Sequence, residues 1–154
     1  MATGSFEEIR AEFERRVQKI VWCTVATVDE RGRPRSRVLH PIWEGAVGWI
    51  ATGRRSRKAK DLAHTPYLSC AYWTPEHEQI YAECRAEWED RIEEKRRLWD
   101  LFKTTPAPMG YDPGLFWKDA ADPDCGFLRL TPWRIELSSL QDLFTRTPPR
   151  VWRP

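Results

Sequence analysis

The chain has 154 residues, 41% hydrophobic and 31% charged, with twelve prolines and a formal net charge of +2. That length and composition fit one globular domain, able to bury roughly 70% of the surface its unfolded form exposes, and exclude collagenous, mucin-like and disordered chains. So small a net charge also excludes a polyelectrolyte that coats nucleic acid or anionic membrane.

Taken in chain order, Ser5 followed by Glu8 is a capping-box signature, and Phe6, Ile9, Phe13, Val17 and Ile20 recur at helical spacing, so the chain opens with a predicted amphipathic helix. Residues 21–28 are apolar and β-branched, Asp29-Glu30-Arg31-Gly32 is a turn signal, and 34–43 read as the returning strand of a hairpin. Glu44-Gly45 turns into a third strand over 47–52. Ser56 is an N-cap candidate for a short helix over 56–62, stopped by His64-Thr65-Pro66. Residues 67–73 and 79–88 read as the fourth and fifth strands, the latter alternating Ile80, Ala82, Cys84 and Ala86. Asp90 and Glu93 predict a capped helix to about Phe102, with Ile92, Trp99 and Phe102 on one face. Residues 105–124 are rich in Pro, Gly and Asp and form a long loop or lid carrying Tyr111, Phe116 and Trp117. Strand composition returns over 127–140, and 141–154 reads as a polar tail. Six short strands in hairpins, with small helices between them, predict a single antiparallel β-barrel domain with peripheral helices.

Cys23, Cys70, Cys84 and Cys125 form no Cys-x-x-Cys pair, and three of them lie in apolar strand-like runs, the pattern of buried free thiols in a reducing compartment. The first twenty residues have no apolar signal region and no stretch nears eighteen apolar residues, so a cytoplasmic chain without a membrane span is expected. Trp22, Trp43, Trp49, Trp73, Trp88 and Trp133 fall in predicted strands, where core or interface packing is their ordinary role.

Several chemistries drop out. There is no Gly-x-Gly-x-x-Gly, Walker-type Gly-x-x-x-x-Gly-Lys, His-Glu-x-x-His or Gly-x-Ser-x-Gly motif, and His40, His64 and His77 stand apart from one another and from any cysteine at metal-ligand spacing. Glu83, Glu87, Glu89, Asp90, Glu93 and Glu94 read as a solvated strand end and helix face. Charge, however, is unevenly spread. Residues 31–60 hold nine Lys/Arg against one acidic residue, Glu44, whereas the rest of the chain has 16 basic and 22 acidic groups. Such a split favours a confined anionic ligand. Within it, Thr52-Gly53-Arg54-Arg55-Ser56-Arg57-Lys58 runs from a strand end through a glycine turn into a helix N-terminus, where free N–H groups, the Ser56 hydroxyl and two cations suit a phosphate. A solvated basic helix is the alternative reading of the same residues.

The segment resembles the flavin phosphate-binding stretch of the pyridoxamine 5′-phosphate oxidase-like, FMN-binding split-barrel family. Arg35-Ser36-Arg37-Val38-Leu39-His40 is similar to the family's Arg-x-x-Leu-Leu-Lys strand, Thr65-Pro66-Tyr67-Leu68-Ser69 to its Asn-Pro-x-Val-Ser, Arg85-Ala86-Glu87 to its Lys-Ala-Glu, and residues 129–136 to its final barrel strand. The resemblance covers roughly residues 17–140. It implies a mainly β fold, a six-stranded antiparallel split β-barrel of Greek-key type with peripheral helices, assembled as a homodimer. It further implies that Ser56, Arg57 and Lys58, with Arg35 or Arg37, hold the FMN phosphate; that Ser36, Arg37, Val38, Leu39, Ala51 and Thr52 meet the ribityl chain and ring; and that Gln79 reaches the flavin bound mainly by the other subunit. An 8-hydroxy-5-deazaflavin is the alternative cofactor, and a non-catalytic flavin-binding or stress protein the alternative role. The expected activity is oxidoreduction of a small organic substrate, with reduced nicotinamide as electron partner, and with neither nucleic acid nor membrane as a partner.

The departures are as informative. His40 stands where the true oxidase has a substrate-binding lysine, Ser138 where it has a tryptophan, and no Arg-x-His-x-Arg follows Leu140. Oxidation of pyridoxamine phosphate is therefore not expected, and no catalytic acid or base is identified.

Overall fold

The alternation of apolar and polar side chains over residues 21–52 becomes antiparallel strands in the computed structural model, which describes residues 2–154. A two-residue strand β1 (Ala2–Thr3) and helix α1 (Glu7–Val17) precede β2 (Cys23–Val28), β3 (Pro34–Leu39), β4 (Ile42–Glu44) and β5 (Val47–Gly53). Helix α2 (Arg57–His64) leads to β6 (Tyr67–Trp73), β7 (Glu78–Trp88), α3 (Ile92–Thr104), β8 (Cys125–Ser139), α4 (Leu140–Thr145) and β9 (Arg150–Trp152).

The pairings run β3–β2–β6–β7–β8–β5–β4. Because β3 and β4 are the two halves of one stretch of chain, the six main strands form a ring with a single break. The break falls at His40-Pro41, where Leu39 registers with Cys23 of β2 while Ile42 registers with Trp49 of β5. Proline brings no N–H to a ladder, so the strand expected to run unbroken over 34–43 parts there and its halves take different neighbours. The result is an antiparallel split barrel. Strand β8 pairs through residues 128–139 with β7, through residues 125–130 with β5 and through residues 135–137 with β9, with Trp133 the extra residue of a bulge between Pro132 and Arg134.

Three local readings need correction. The segment 141–154 is not a tail: Ser139 Oγ accepts the Asp142 N–H (3.1 Å) to start α4, and Trp152 of β9 is buried with its ring 5.3 Å from Phe6. Pro148 and Pro149 hid that strand by shortening it to three residues. Asp90 does not cap α3, whose N-cap is Arg91 without a side-chain bond; its carboxylate instead accepts from Arg54 (2.6 Å). At α1 only half of the capping box forms: Glu8 accepts the Ser5 N–H (3.2 Å), whereas Ser5 Oγ accepts from Glu7 rather than Glu8.

The barrel interior is filled by Val25, Ile50, Leu68, Ile80, Leu128 and Ile135 and closed by Ile9, Phe13 and Val17 of α1. Arg16 fastens that helix by donating to the carbonyls of Gln79 (2.9 Å) and Ser138 (2.6 Å). A second cluster, Trp49, Leu98, Phe102, Cys125 and Phe127, seats α3 on the outside of β5 and β8. All four cysteines are buried and free. Among the described residues no helix is long and apolar enough to cross a membrane, and no group of three or more His, Cys, Asp or Glu is placed to hold a metal ion.

Candidate functional site

Strand β3 lies at an open edge, and Arg35 and Arg37 register with Thr27 and Val25 of β2, both buried, so the two guanidiniums share the inner side of the sheet. The preceding turn, with Gly32 at a φ of 76°, wraps the Asp29 carboxylate, which accepts the N–H groups of Arg31 and Arg33 (both 2.9 Å) and the Arg33 guanidinium (2.8 Å). The backbone bond from Arg33, with the guanidinium behind it, lowers the Asp29 pKa to about 2. The Arg35 guanidinium lies 3.4 Å from Asp29 and that of Arg37 3.5 Å from Asp61, whose carboxylate also accepts from Thr27 Oγ1 (2.7 Å). Buried carboxylates thus aim both arginines.

Facing them is the first turn of α2, with Arg57 and Lys58. Together these elements enclose a cavity of about 730 Å³ lined by Arg33, Arg35, Arg37, Arg57 and Lys58, the single carboxylate Asp29, and Pro34, Ser36 and Leu39. Burial lowers the Lys58 pKa and the charge of Arg37 lowers it further; burial likewise lowers that of Arg37, against the pull of Asp61. Arg35 adds to the effect on Arg37, as Arg37 does on Lys58, and an anion among these cations would relieve it. Ser56 occupies the N-cap position of α2, yet its side chain caps nothing, and its Oγ is buried without a hydrogen-bond partner. Such an oxygen ordinarily accepts an N–H of the first turn.

Lys58 Nζ donates to Thr52 Oγ1 (2.7 Å), and Thr52 opens on a second cavity of about 560 Å³. Its barrel side is Val21, Trp22, His40, Ala51, Thr52 and Gly53; its other wall is Pro108, Tyr111, Leu115, Phe116 and Trp117. Tight local bonds fold this loop. Tyr111 N donates to the Phe102 carbonyl (2.9 Å), and a Cβ on Gly110 would fall 1.8 Å from the Thr105 oxygen, so only glycine lets the chain turn back there. Asp112 then caps the 3₁₀ turn Pro113–Leu115 through the Gly114 N–H (2.8 Å). The His40 ring, 7% exposed, has centroid separations of 5.2 Å from both Trp22 and Tyr111, and its Nε2 has no hydrogen-bond partner. Burial lowers the His40 pKa, partly opposed by a hydrogen bond to the backbone of Met109. Burial also raises the Tyr111 pKa to about 12.

Of the residues singled out in the sequence, Arg35, Ser36, Arg37, Leu39, Arg57 and Lys58 line the basic cavity, Ala51 and Thr52 line the aromatic one, and Ser56 immediately precedes the first turn of α2. Val38 lines neither: it is 62% exposed on the outer face of the sheet. Gln79 is also on that face, its Oε1 accepting from Ser138 Oγ (3.0 Å) and Tyr81 OH (3.3 Å), and it reaches neither cavity of its own chain. Arg54 and Arg55 of the basic strip serve the fold, Arg54 stacking 4.5 Å over Trp88 and Arg55 pairing with Asp124 (3.2 Å). The loop aromatics Tyr111, Phe116 and Trp117 do face a cavity. Trp22, read as a packing residue, is 60% exposed and lines the same cavity, and the bracing role of Asp29 and Asp61 was not anticipated. Asp29 had a signal in its Asp-x-x-Gly turn; Asp61 had none.

A family model described as pyridoxamine 5′-phosphate oxidase matches residues 9–137, a span that contains both cavities. The chain belongs to this family. Within it, the pyridoxine/pyridoxamine 5′-phosphate oxidase of Myxococcus xanthus is 40% identical over 65 residues, 41% of this chain and 32% of that protein. The match thus spans about a third of the length of that relative. Among solved structures, a protein related to general stress protein 26 from Clostridium acetobutylicum superposes with a TM-score of 0.71 at 14% identity, covering 96% of this chain and 95% of that one. A pyridoxamine 5′-phosphate oxidase-related, FMN-binding protein from Nostoc punctiforme gives 0.64 at 18% identity, covering 90% and 86%. At such identities these likenesses establish the family's fold.

Proposed function

We propose that the chain binds FMN and is a flavin-dependent oxidoreductase acting on a small organic substrate. The observation that carries this reading is the basic cavity: five cations against one carboxylate, at the start of a helix whose N-cap hydroxyl is buried and unpartnered. A phosphate dianion answers each feature, accepting from Ser56 Oγ, the arginines and the free N–H groups of α2. In this reading Arg35, Arg37, Arg57 and Lys58 hold the phosphate, Ser36 and Leu39 flank the ribityl chain, and Ala51 and Thr52, the latter bonded to Lys58, meet the ring. FMN when bound supplies hydride and electron-pair chemistry, with reduced nicotinamide as the donor. The chain itself orients the ring and shields it from water with the aromatic loop. No cation lines the aromatic cavity, which speaks against a substrate that, like pyridoxamine phosphate, carries a phosphate of its own.

The functional unit in this reading is a homodimer. Val38, Tyr67, Trp73 and Trp133 are 48–62% exposed on the same outer face as Gln79, a surface a second copy would cover while bringing Gln79 to the edge of its partner's flavin. The test is the visible absorption spectrum of the purified protein, the mass of the small molecule released on denaturation, and sedimentation velocity. FMN and a dimer are the expected results. Release of an 8-hydroxy-5-deazaflavin would replace the cofactor within the same site, and a colourless monomer that takes up neither would overturn the reading.

A further inference from the structure

The carboxylate of Asp61 lies outside the basic cavity yet ties its two walls together. It stands on α2 four residues after Arg57 and three after Lys58, so the three side chains leave neighbouring positions of the helix. Arg57 is at a spacing that such a carboxylate can reach, but the ion partner of Asp61 is Arg37 on the opposite wall: Nη2 is 3.5 Å from Oδ2, and Thr27 Oγ1 donates to the same oxygen (2.7 Å). Arg57 thereby keeps its charge for the cavity it lines. The Arg37 guanidinium is held at two of its three nitrogens. Nη1 donates to the carbonyls of Arg35 (3.1 Å) and Val25 (3.2 Å), Nη2 faces Asp61, and Nε–H is left for a ligand in the cavity that Arg37 lines. Asp61 is 5% exposed and does not line that cavity, so it acts on a ligand there only by its charge and by the groups it holds. Those two routes oppose each other. The charge repels an anion, whereas the hold keeps a half-buried guanidinium charged and in place.

We infer that Asp61 is a positioning residue for the phosphate of the bound ligand, and that its hold on the Arg37 guanidinium outweighs the repulsion of its own charge. The inference deepens the flavin reading and rests on its phosphate assignment. It singles out Asp61 over Asp29, which lines the cavity itself and spends its bonds on the turn, accepting the N–H groups of Arg31 and Arg33 and the Arg33 guanidinium.

The test titrates the cofactor-free full chain with two probes, FMN and riboflavin, which differ only by the phosphate, each read by quenching of flavin fluorescence. The wild type should bind FMN the more tightly. Asp61→Asn keeps the size of the side chain and an oxygen for Thr27 but loses the charge. It should weaken FMN about tenfold, the worth of one hydrogen bond to a charged group, and leave riboflavin unchanged. In an Arg37→Ala background the same substitution should cost FMN nothing, since no guanidinium is left to position. Should Asp61→Asn not fold, Thr27→Val, which loosens the carboxylate and keeps its charge, should weaken FMN alone by about threefold. Unchanged FMN affinity in Asp61→Asn would overturn the inference, and so would tighter binding, because repulsion would then dominate. Equal loss for both flavins, the mark of a purely structural role, would overturn it too, as would an undiminished loss in the absence of Arg37. The Thr27→Val arm is decided by the same outcomes. A wild type that does not distinguish FMN from riboflavin would instead remove the phosphate assignment, and this inference with it.

Discussion

The two cavities are linked by the hydrogen bond from Lys58 to Thr52 and are built in opposite ways. The basic one is walled by regular structure, an edge strand and a helix start, and its charges are aimed by buried carboxylates before any ligand arrives. The aromatic one borrows half its wall from a loop, and no charged side chain lines it. One wall therefore supplies fixed charge, ready for a ligand of known geometry, while the other supplies mostly apolar surface. A cofactor that stays suits the first and a molecule that comes and goes suits the second.

The comparison breaks most severely if the charges are removed. Replacing Arg57 and Lys58 together with alanine should weaken FMN binding by at least about a hundredfold, since charge-assisted bonds to a phosphate contribute about 1.5–3 kcal/mol each. The cofactor-free variant should melt no lower than the wild type, because burial and the neighbouring charge of Arg37 already disfavour the Lys58 cation. Unchanged FMN affinity in equilibrium dialysis would remove the phosphate assignment. A smaller, sharper effect is expected at Ser56. Its replacement by alanine should cost about tenfold in FMN affinity yet only about 0.3 kcal/mol or less in urea denaturation of the cofactor-free protein, against about 1 kcal/mol for a serine that caps its helix. A full capping penalty there would mean that the hydroxyl serves the helix. The smallest effect concerns His40. Its folded pKa lies below the ordinary 6.5, so the unfolded chain binds more protons on the acid side of that value. The corresponding stability is whole above pH 6.5 and declines as pH falls through 6.5 towards the folded pKa. Urea midpoints at pH 7.5 and 5.5 should therefore differ more in the wild type than in His40→Phe.

How much of each cavity could be read from the sequence follows from the same contrast. The basic wall comes from two short contiguous segments, 35–39 and 56–58, so one strand-edge pattern and one helix-start pattern exposed nearly all of it. Val38 was the exception, because strand alternation sends it to the face opposite Arg37. The aromatic wall joins residues 21–22, 40, 51–53 and 108–117, which only the closed barrel brings together. Its loop aromatics stood out by their unusual location, whereas Trp22 looked like any strand tryptophan. Among the strands, 67–73 was delimited as observed, and 34–43 failed at one residue, Pro41, where a breaker in the middle of an apolar run marks the parting of two pairings rather than the end of a strand. The C-terminal strand escaped notice because its order comes from pairing with β8 and from burial of Trp152, neither of them a local property.

Strand β8 carries a last implication. One strand of 15 residues pairs with β7 over residues 128–139 on either side of the Trp133 bulge, with β5 near its start and with β9 near its end. No portion of the sheet around it can open while the rest stays shut without tearing the same strand. Cooperativity in this protein is thus a property of one segment, and its amide protons should be the last to trade with solvent deuterium.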